Sequence, residues 1–169
     1  VMIQTIKDKN PKSIYELTPL HCAVTNGHSE ICRIIMNVVK ENNPKDVNGN
    51  TPLHQAASSG HLETLKIIIE KVDEKNPKNN MGYTPLHIAA TKGQVEIFKI
   101  IMDNVKNGLP KINDGKTTPL DLAIEYGHED IVEMIIISYP IRKWVASKSK
   151  NGSRKRAKMD FSSNSRNSS

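Results

Sequence analysis

The sequence predicts an all-α chain, a solenoid of helix-turn-helix units joined by β-hairpin-like loops. Internal repetition is the first observation: Thr-Pro-Leu-His begins at Thr18, Thr51 and Thr84, and Thr-Pro-Leu-Asp at Thr118, at steps of 33, 33 and 34 residues. A glycine follows each at a fixed distance, at Gly27, Gly60, Gly93 and Gly127; His comes next at His28, His61 and His128, and Gln94 in the third unit. Then comes an apolar run with helical spacing, such as Leu62, Leu65, Ile68 and Ile69.

Each element has a physical reason. Thr is a good N-cap, and Pro at the first helical position loses nothing because its missing N–H would be unpaired there. Ala23, Ala56, Ala57, Ala89, Ala90 and Ala123 are small and let a short first helix lie close to its neighbours. The glycine ends that helix in a left-handed conformation open to Gly. A second helix runs from Leu62 to about Val72 in the second unit. Asn-Pro, at Asn10-Pro11, Asn43-Pro44 and Asn76-Pro77, is expected to stop it, because the residue before Pro avoids the helical region. The Gly-bearing segments 46–50 and 79–83 turn the chain into the next unit.

This pattern closely resembles the ankyrin family over roughly residues 1–140. Val1–His21 aligns without gaps on Ile67–His87, so residues 1–14 read as the end of a truncated upstream repeat and its loop. Residues 15–140 read as four repeats, and residues 141–169 as a basic, largely disordered tail. The chain is therefore expected to be a fragment, with Met2, Ile3 and Ile6 exposed at its cut end, since solenoid repeats bury apolar surface only against neighbours. Departures from the family pattern are few. Glu16 stands where Gly49 and Gly82 recur, which is expected to distort the first hairpin; the loop before Thr118 has one extra residue; Asp121 replaces His; and the second helices, Gly108 apart, lack a terminal Gly.

Composition excludes several classes. With aromatic residues at 4%, Ile, Leu, Val and Ala must supply the core. No apolar run approaches the ~20 residues of a membrane-spanning helix, and no secretory signal is visible. Two cysteines, Cys22 and Cys32, make no disulfide framework and point to a reducing compartment, so the chain reads as soluble and intracellular. The charge of +6 is unevenly placed. Residues 1–140 hold 15 Lys/Arg against 17 Asp/Glu, a net −2, and residues 141–169 hold 9 against 1, a net +8. The repeat body is thus no basic nucleic-acid-binding domain.

Nothing in the residues argues for catalysis or a cofactor. His21, His54 and His87 form a column, but no nucleophile or orienting carboxylate recurs with them; in ankyrin-like repeats this His bonds backbone at the helix start and ties adjacent repeats. Cys22, His28 and Cys32 match no zinc spacing, and both cysteines align mostly with core positions, so buried thiols are expected. No phosphate-binding Gly-rich loop, Ser-His-Asp set or nucleophile elbow is present.

The resemblance implies a protein-binding face lined by hairpin tips and the exposed ends of the first helices. Carried onto this chain, the tips are Ile14, Tyr15, Leu17, Val47, Asn48, Asn50, Asn80, Met81, Tyr83, Lys116 and Thr117. The helix ends are Thr25, Asn26, Ser58, Ser59, Thr91, Lys92, Glu125 and Tyr126. Tyr15, Met81, Tyr83 and Tyr126 stand out, since aromatics and Met anchor interfaces. A lysine column, Lys12, Lys45, Lys78 and Lys111, follows each repeat's Pro at steps of 33. It admits three readings: a meeting point for an acidic segment, cations placed near helix C-termini, or one lysine copied by duplication.

In the tail, Pro140 ends the last helix and Trp144 is placed to pack on the final repeat as a lid. Arg142-Lys143 and, ten residues on, Arg154-Lys155-Arg156-Ala157-Lys158 resemble a bipartite nuclear import signal, with an importin as its partner and the nucleus as destination. Direct nucleic-acid binding by the tail is the competing reading; it would want aromatics among the charges, and Phe161 is the only one near the cluster. A role as the interaction arm of a larger enzyme or channel is a third.

Overall fold

The computed structural model describes residues 10–105 and 117–138, and among these there are eight helices and no strand. They form four pairs: α1 (Pro19–Thr25) with α2 (Ser29–Val38), α3 (Pro52–Ser59) with α4 (Leu62–Lys71), α5 (Pro85–Lys92) with α6 (Val95–Asn104), and α7 (Pro119–Glu125) with α8 (Glu129–Ser138). The first helices stack α1 on α3 on α5 on α7, and the second helices stack α2 on α4 on α6 on α8. The fold is the all-α solenoid that the 33-residue period implies.

Burial follows the repeat. Leu20, Leu53, Leu86 and Leu120, the third residue of each Thr-Pro-Leu motif, are all buried, as are Ala56, Ala57, Ala89, Ala90 and Ala123 between the first helices. Ile67, Ile68, Ile69, Ile97, Phe98, Ile101, Ile131 and Ile135 continue the core through the second layer. Apolar burial at about 25 cal/mol per Å² is the main stabilising term, and each unit realises it only against its neighbours.

Every first helix opens on a Thr in extended conformation with Pro next. Gly60 and Gly93 close α3 and α5 in the left-handed region (φ 78 and 68), while α1 and α7 close on Asn26 and Tyr126 with the left-handed Gly27 and Gly127 one residue later.

The second helices end differently from expectation. The chain leaves them at Val39, Val72 and Val105, each extended, so α2 and α4 stop several residues short of Asn43-Pro44 and Asn76-Pro77. Asn76 instead serves the following helix: its Oδ1 accepts the Leu86 N–H at 3.1 Å. In place of a terminal Gly at α4, the Lys75 ammonium donates to the carbonyls of Ile69 and Val72.

The first hairpin is also not distorted. Glu16 adopts φ 58, and Ser13 and Leu17 close the turn at 3.0 Å just as Asp46 and Asn50 do at 2.9 Å and Asn79 and Tyr83 at 2.8 Å. The cost is a left-handed side-chain-bearing residue, roughly 1–2 kcal/mol, and not a lost turn. Met2, Ile3, Ile6, Gly108, Trp144 and the tail basic clusters lie outside the described residues.

Candidate protein-binding face

The face is built on a ladder of buried histidines. The Thr18 N–H donates to His21 Nδ1 at 3.2 Å, and the Thr18 hydroxyl lies 3.0 Å from the same atom. An Nδ1 that accepts leaves the ring proton on Nε2, which donates to the Asn50 carbonyl of the next hairpin at 3.1 Å. His54 repeats this with Thr51 (3.0 Å) and the Tyr83 carbonyl (3.1 Å), and the Thr84 N–H donates to His87 Nδ1 at 3.1 Å. Each such ring closes its own helix start, and His21 and His54 also fasten the following hairpin. Burial favours the neutral form: it lowers the His21 pKa, and it lowers that of His54 to about 4. At α7 the Asp121 carboxylate does the cap's half of the work, accepting from the Thr118 N–H (3.0 Å) and hydroxyl (2.7 Å).

A second set of ties runs in the opposite direction, from a unit to the one before it. His61 Nε2 lies 3.1 Å from the Thr25 carbonyl and His128 Nε2 lies 3.0 Å from the Thr91 carbonyl, each reaching back one repeat. Their rings sit over the preceding turn glycine: a Cβ on Gly27 would come within 2.7 Å of His61, and one on Gly93 within 2.6 Å of His128. The Gly-His pairs at 27–28, 60–61 and 127–128 were a signal available in the sequence.

Hairpins are held by one polar residue at the head of each turn. Ser13 Oγ, Asp46 Oδ1 and Asn79 Oδ1 each accept two backbone N–H groups, two and four residues on. Successive tips then bond to one another, Val47 N–H to the Tyr15 carbonyl (3.1 Å) and Asn80 N–H to the Asn48 carbonyl (3.0 Å). The three described tips therefore form one continuous row.

Along this row and the first-helix ends, the apolar side chains Ile14 (89% exposed), Met81 (69%), Tyr15 (61%), Tyr126 (54%) and Val47 (52%) are open to solvent. Asn26, Asn48 and Lys92 are also exposed, and Ser59 and Leu17 are half-buried. Asn50 and Tyr83 turn into the stack instead. Asn50 bonds Asp46 and Asn79 through its side chain, and the Tyr83 ring stands edge-on to His87 with centroids 5.8 Å apart. Lys12, Lys45 and Lys78 are exposed; Lys111 and Lys116 fall outside the described residues.

The family model for ankyrin repeats (3 copies) matches residues 2–80 and 72–146. The chain belongs to the ankyrin-repeat family. Ankyrin repeats generally mediate protein–protein interaction and are typically not enzymes. No curated protein matches the chain.

Other chemistry finds no support in the described residues. They contain no group of three His, Cys, Asp or Glu side chains able to hold a metal ion, and no helix long and apolar enough to cross a membrane. Cys32 is buried, with its thiol pushed up to about 11 by desolvation, which keeps it a poor nucleophile. Cys22 is exposed, contrary to the expectation of a buried thiol: among the described residues no first helix precedes α1, whereas the equivalent Leu122 on α7, which packs on α5, is buried.

Proposed function

We propose that the repeats are a non-catalytic adaptor or scaffold module that binds a partner protein across the hairpin tips and first-helix ends. The observation that carries this reading is the row of exposed Ile14, Tyr15, Val47 and Met81 on tips bonded to each other, with Tyr126 at a first-helix end. Large apolar side chains on a rigid backbone bury area against a partner without the cost of ordering the backbone, which is what interface anchors need. The histidine ladder beneath supplies that rigidity.

The test is a set of captured-partner comparisons. Proteins cross-linked to the wild-type chain are identified by mass spectrometry, and the same capture is repeated with Tyr15→Ala/Met81→Ala and, on the opposite layer, Glu70→Ala/Glu133→Ala. Loss of the same partners in the tip variant alone supports the face; equal capture by both rejects it.

The tail adds a destination. Residues 141–169 carry the net +8 and the clusters Arg142-Lys143 and Arg154–Lys158, which suit an importin and nuclear entry. A reporter fused to residues 141–169 should accumulate in the nucleus and should cease to do so with Lys155→Ala/Arg156→Ala. An evenly distributed reporter removes the import reading.

A further inference from the structure

We propose that the three described hairpin-foot lysines, Lys12, Lys45 and Lys78, select the partner. On this reading the bound segment is an acidic stretch in polyproline II conformation, with a carboxylate at every third residue. The inference rests on the binding face proposed above and gives its ligand a chemistry.

Lys45 and Lys78 stand in neither a helix-end nor an ion-pair role. Lys45 and Lys78 stand seven residues beyond the last residues of α2 and α4, Val38 and Lys71, whereas a helix dipole acts on charges within its last turn. Neither has an ion-pair partner among the described residues. Asp46, beside Lys45, directs its carboxylate to the Asn48 and Asn50 N–H groups and the Asn50 amide. Lys12 alone is answered, by Glu16 at 3.9 Å, and Glu16 is the residue that becomes Gly49 and Gly82 in the next two hairpins. Two ammonium groups one repeat apart are thus left open at the feet of neighbouring hairpins.

Spacing then chooses the ligand's conformation. Stacked helices lie roughly 8–10 Å apart. Two chain widths per hairpin, at about 4.8 Å each, give much the same interval. A β-strand presents same-face side chains every ~6.7 Å or ~13 Å, and each departs from that interval by more than the polyproline II repeat does. A polyproline II segment presents them every third residue, at about 9.3 Å, and it fits. Such a segment keeps its backbone polar groups free for solvent or for the tip amides, and it is already ordered before it binds.

Charge and apolar neighbours settle the class of macromolecule. Ile14, Val47 and Met81 lie two or three residues beyond the lysines and offer aliphatic contact suited to a peptide, while Tyr15 is the one aromatic among them on which a base could stack. The chain's own tail, at net +8, is repelled by the column and is not its occupant.

Fluorescence anisotropy on the full chain tests this with synthetic peptides. One carries repeated Glu-Pro-Pro triplets, a second has the same composition with its glutamates bunched at one end, and an oligo(dT) carries the same charge. The spaced peptide should bind more tightly than the bunched one, and more weakly as salt rises. Lys45→Glu/Lys78→Glu, shown by its melting curve to be folded, should weaken the spaced peptide by about ten-fold and leave the bunched one, which meets the basic tail, nearly unchanged. Glu16→Gln, which frees Lys12, should tighten the spaced peptide by about three-fold. Equal affinity for both peptides, or no loss in the double variant, overturns the proposal. So does an oligo(dT) that binds more tightly than the spaced peptide and loses that binding in the double variant. If the lysines fail while Tyr15→Ala/Met81→Ala still abolishes partner capture, the face stands and only its acidic ligand falls.

Discussion

Helix starts and hairpin tips recur at the same interval, yet only the helix starts keep their residues. Thr18, Thr51, Thr84 and Thr118 are identical, and His21, His54 and His87 differ only from Asp121. At the tips, Ile14 becomes Val47 and then Asn80, and Tyr15 becomes Asn48 and then Met81. Burial separates the two sets: Thr51 and His54 are closed to solvent, whereas Met81 and Tyr15 are open. A buried polar group must meet a fixed partner in every unit, while an exposed tip must only keep its backbone bonded to the next tip. The freedom of this chain to be specific therefore lies at its tips and not at its helix starts.

The sharpest break of that contrast is His54→Ala. It leaves the buried Thr51 N–H and the part-buried Tyr83 carbonyl without their partner. At about 1–3 kcal/mol for each unsatisfied group, the loss should be about 4 kcal/mol, enough to unfold much of the array. Met81→Ala, at 69% exposure, should change stability by less than ~0.5 kcal/mol. Urea melts of both variants check the pair; similar midpoints would mean the ladder does not hold the stack.

The same ladder makes stability depend on pH. The folded His54 pKa of about 4 lies below its ordinary value of 6.5, so the unfolded chain takes up the proton first as pH falls. Its contribution is complete above about pH 6.5, declines through the window down to about pH 4, and falls no further below it. At 1.36 kcal/mol for each pKa unit, the loss approaches ~3 kcal/mol, and His21 acts in the same direction. Denaturant midpoints measured from pH 7 to pH 4 should fall over that window, and His54→Gln should flatten the curve.

Glycines give a finer cut. Gly93 and Gly127 have nearly the same φ, 68 and 73, but only Gly93 lies beneath a ring of the next repeat, His128. Gly127→Ala should cost about 1–2 kcal/mol for the left-handed backbone alone. Gly93→Ala should cost about 1 kcal/mol more, because the His128 ring and its 3.0 Å contact with the Thr91 carbonyl must shift. Equal losses in thermal melts would show that the ring is not a fixed tie.

Much of this was legible in the sequence, for a reason visible in particular residues. The Thr-Pro start, the Gly stop and the Leu-Ile core are local or periodic features, and solenoids are built from those alone. What escaped depends on contacts between units. The reach of His61 back to Thr25 and the turning of Asn50 and Tyr83 into the stack need a neighbouring repeat in view. The end of α4 at Lys71 depends on backbone conformation at Val72, which Asn76-Pro77 does not govern. Among the tip residues, exposure separates Tyr15 and Met81 from Tyr83, although the sequence pattern presents all three alike.

The smallest effect concerns why Glu16 is allowed where its counterparts are Gly. All three residues are left-handed: Glu16 at φ 58, Gly49 at 76 and Gly82 at 85. A Cβ on Gly49 would meet the Asn80 side chain at 2.4 Å and the Asn80 backbone nitrogen at 2.9 Å, so a side chain there would force Asn80 to shift. Val47 occupies the place equivalent to Asn80 against the first hairpin and has no amide to reach across it. Strain remains at Glu16, and the ion pair with Lys12, at 3.9 Å and well exposed, offsets at most ~1 kcal/mol of it. Glu16→Gly should relieve roughly 1–2 kcal/mol of backbone strain. It should return part of that through the greater freedom of Gly in the unfolded chain, about 0.5–1 kcal/mol, and through the lost exposed ion pair, roughly 0.3 kcal/mol. The net gain expected is therefore about 0.5 kcal/mol, read as a small rise in the urea midpoint. Glu16→Ala separates the causes, since it loses the ion pair but keeps the strain and so should not stabilise. A gain with Ala equal to that with Gly would place the effect on charge, and the left-handed turn would then be no burden to the first hairpin.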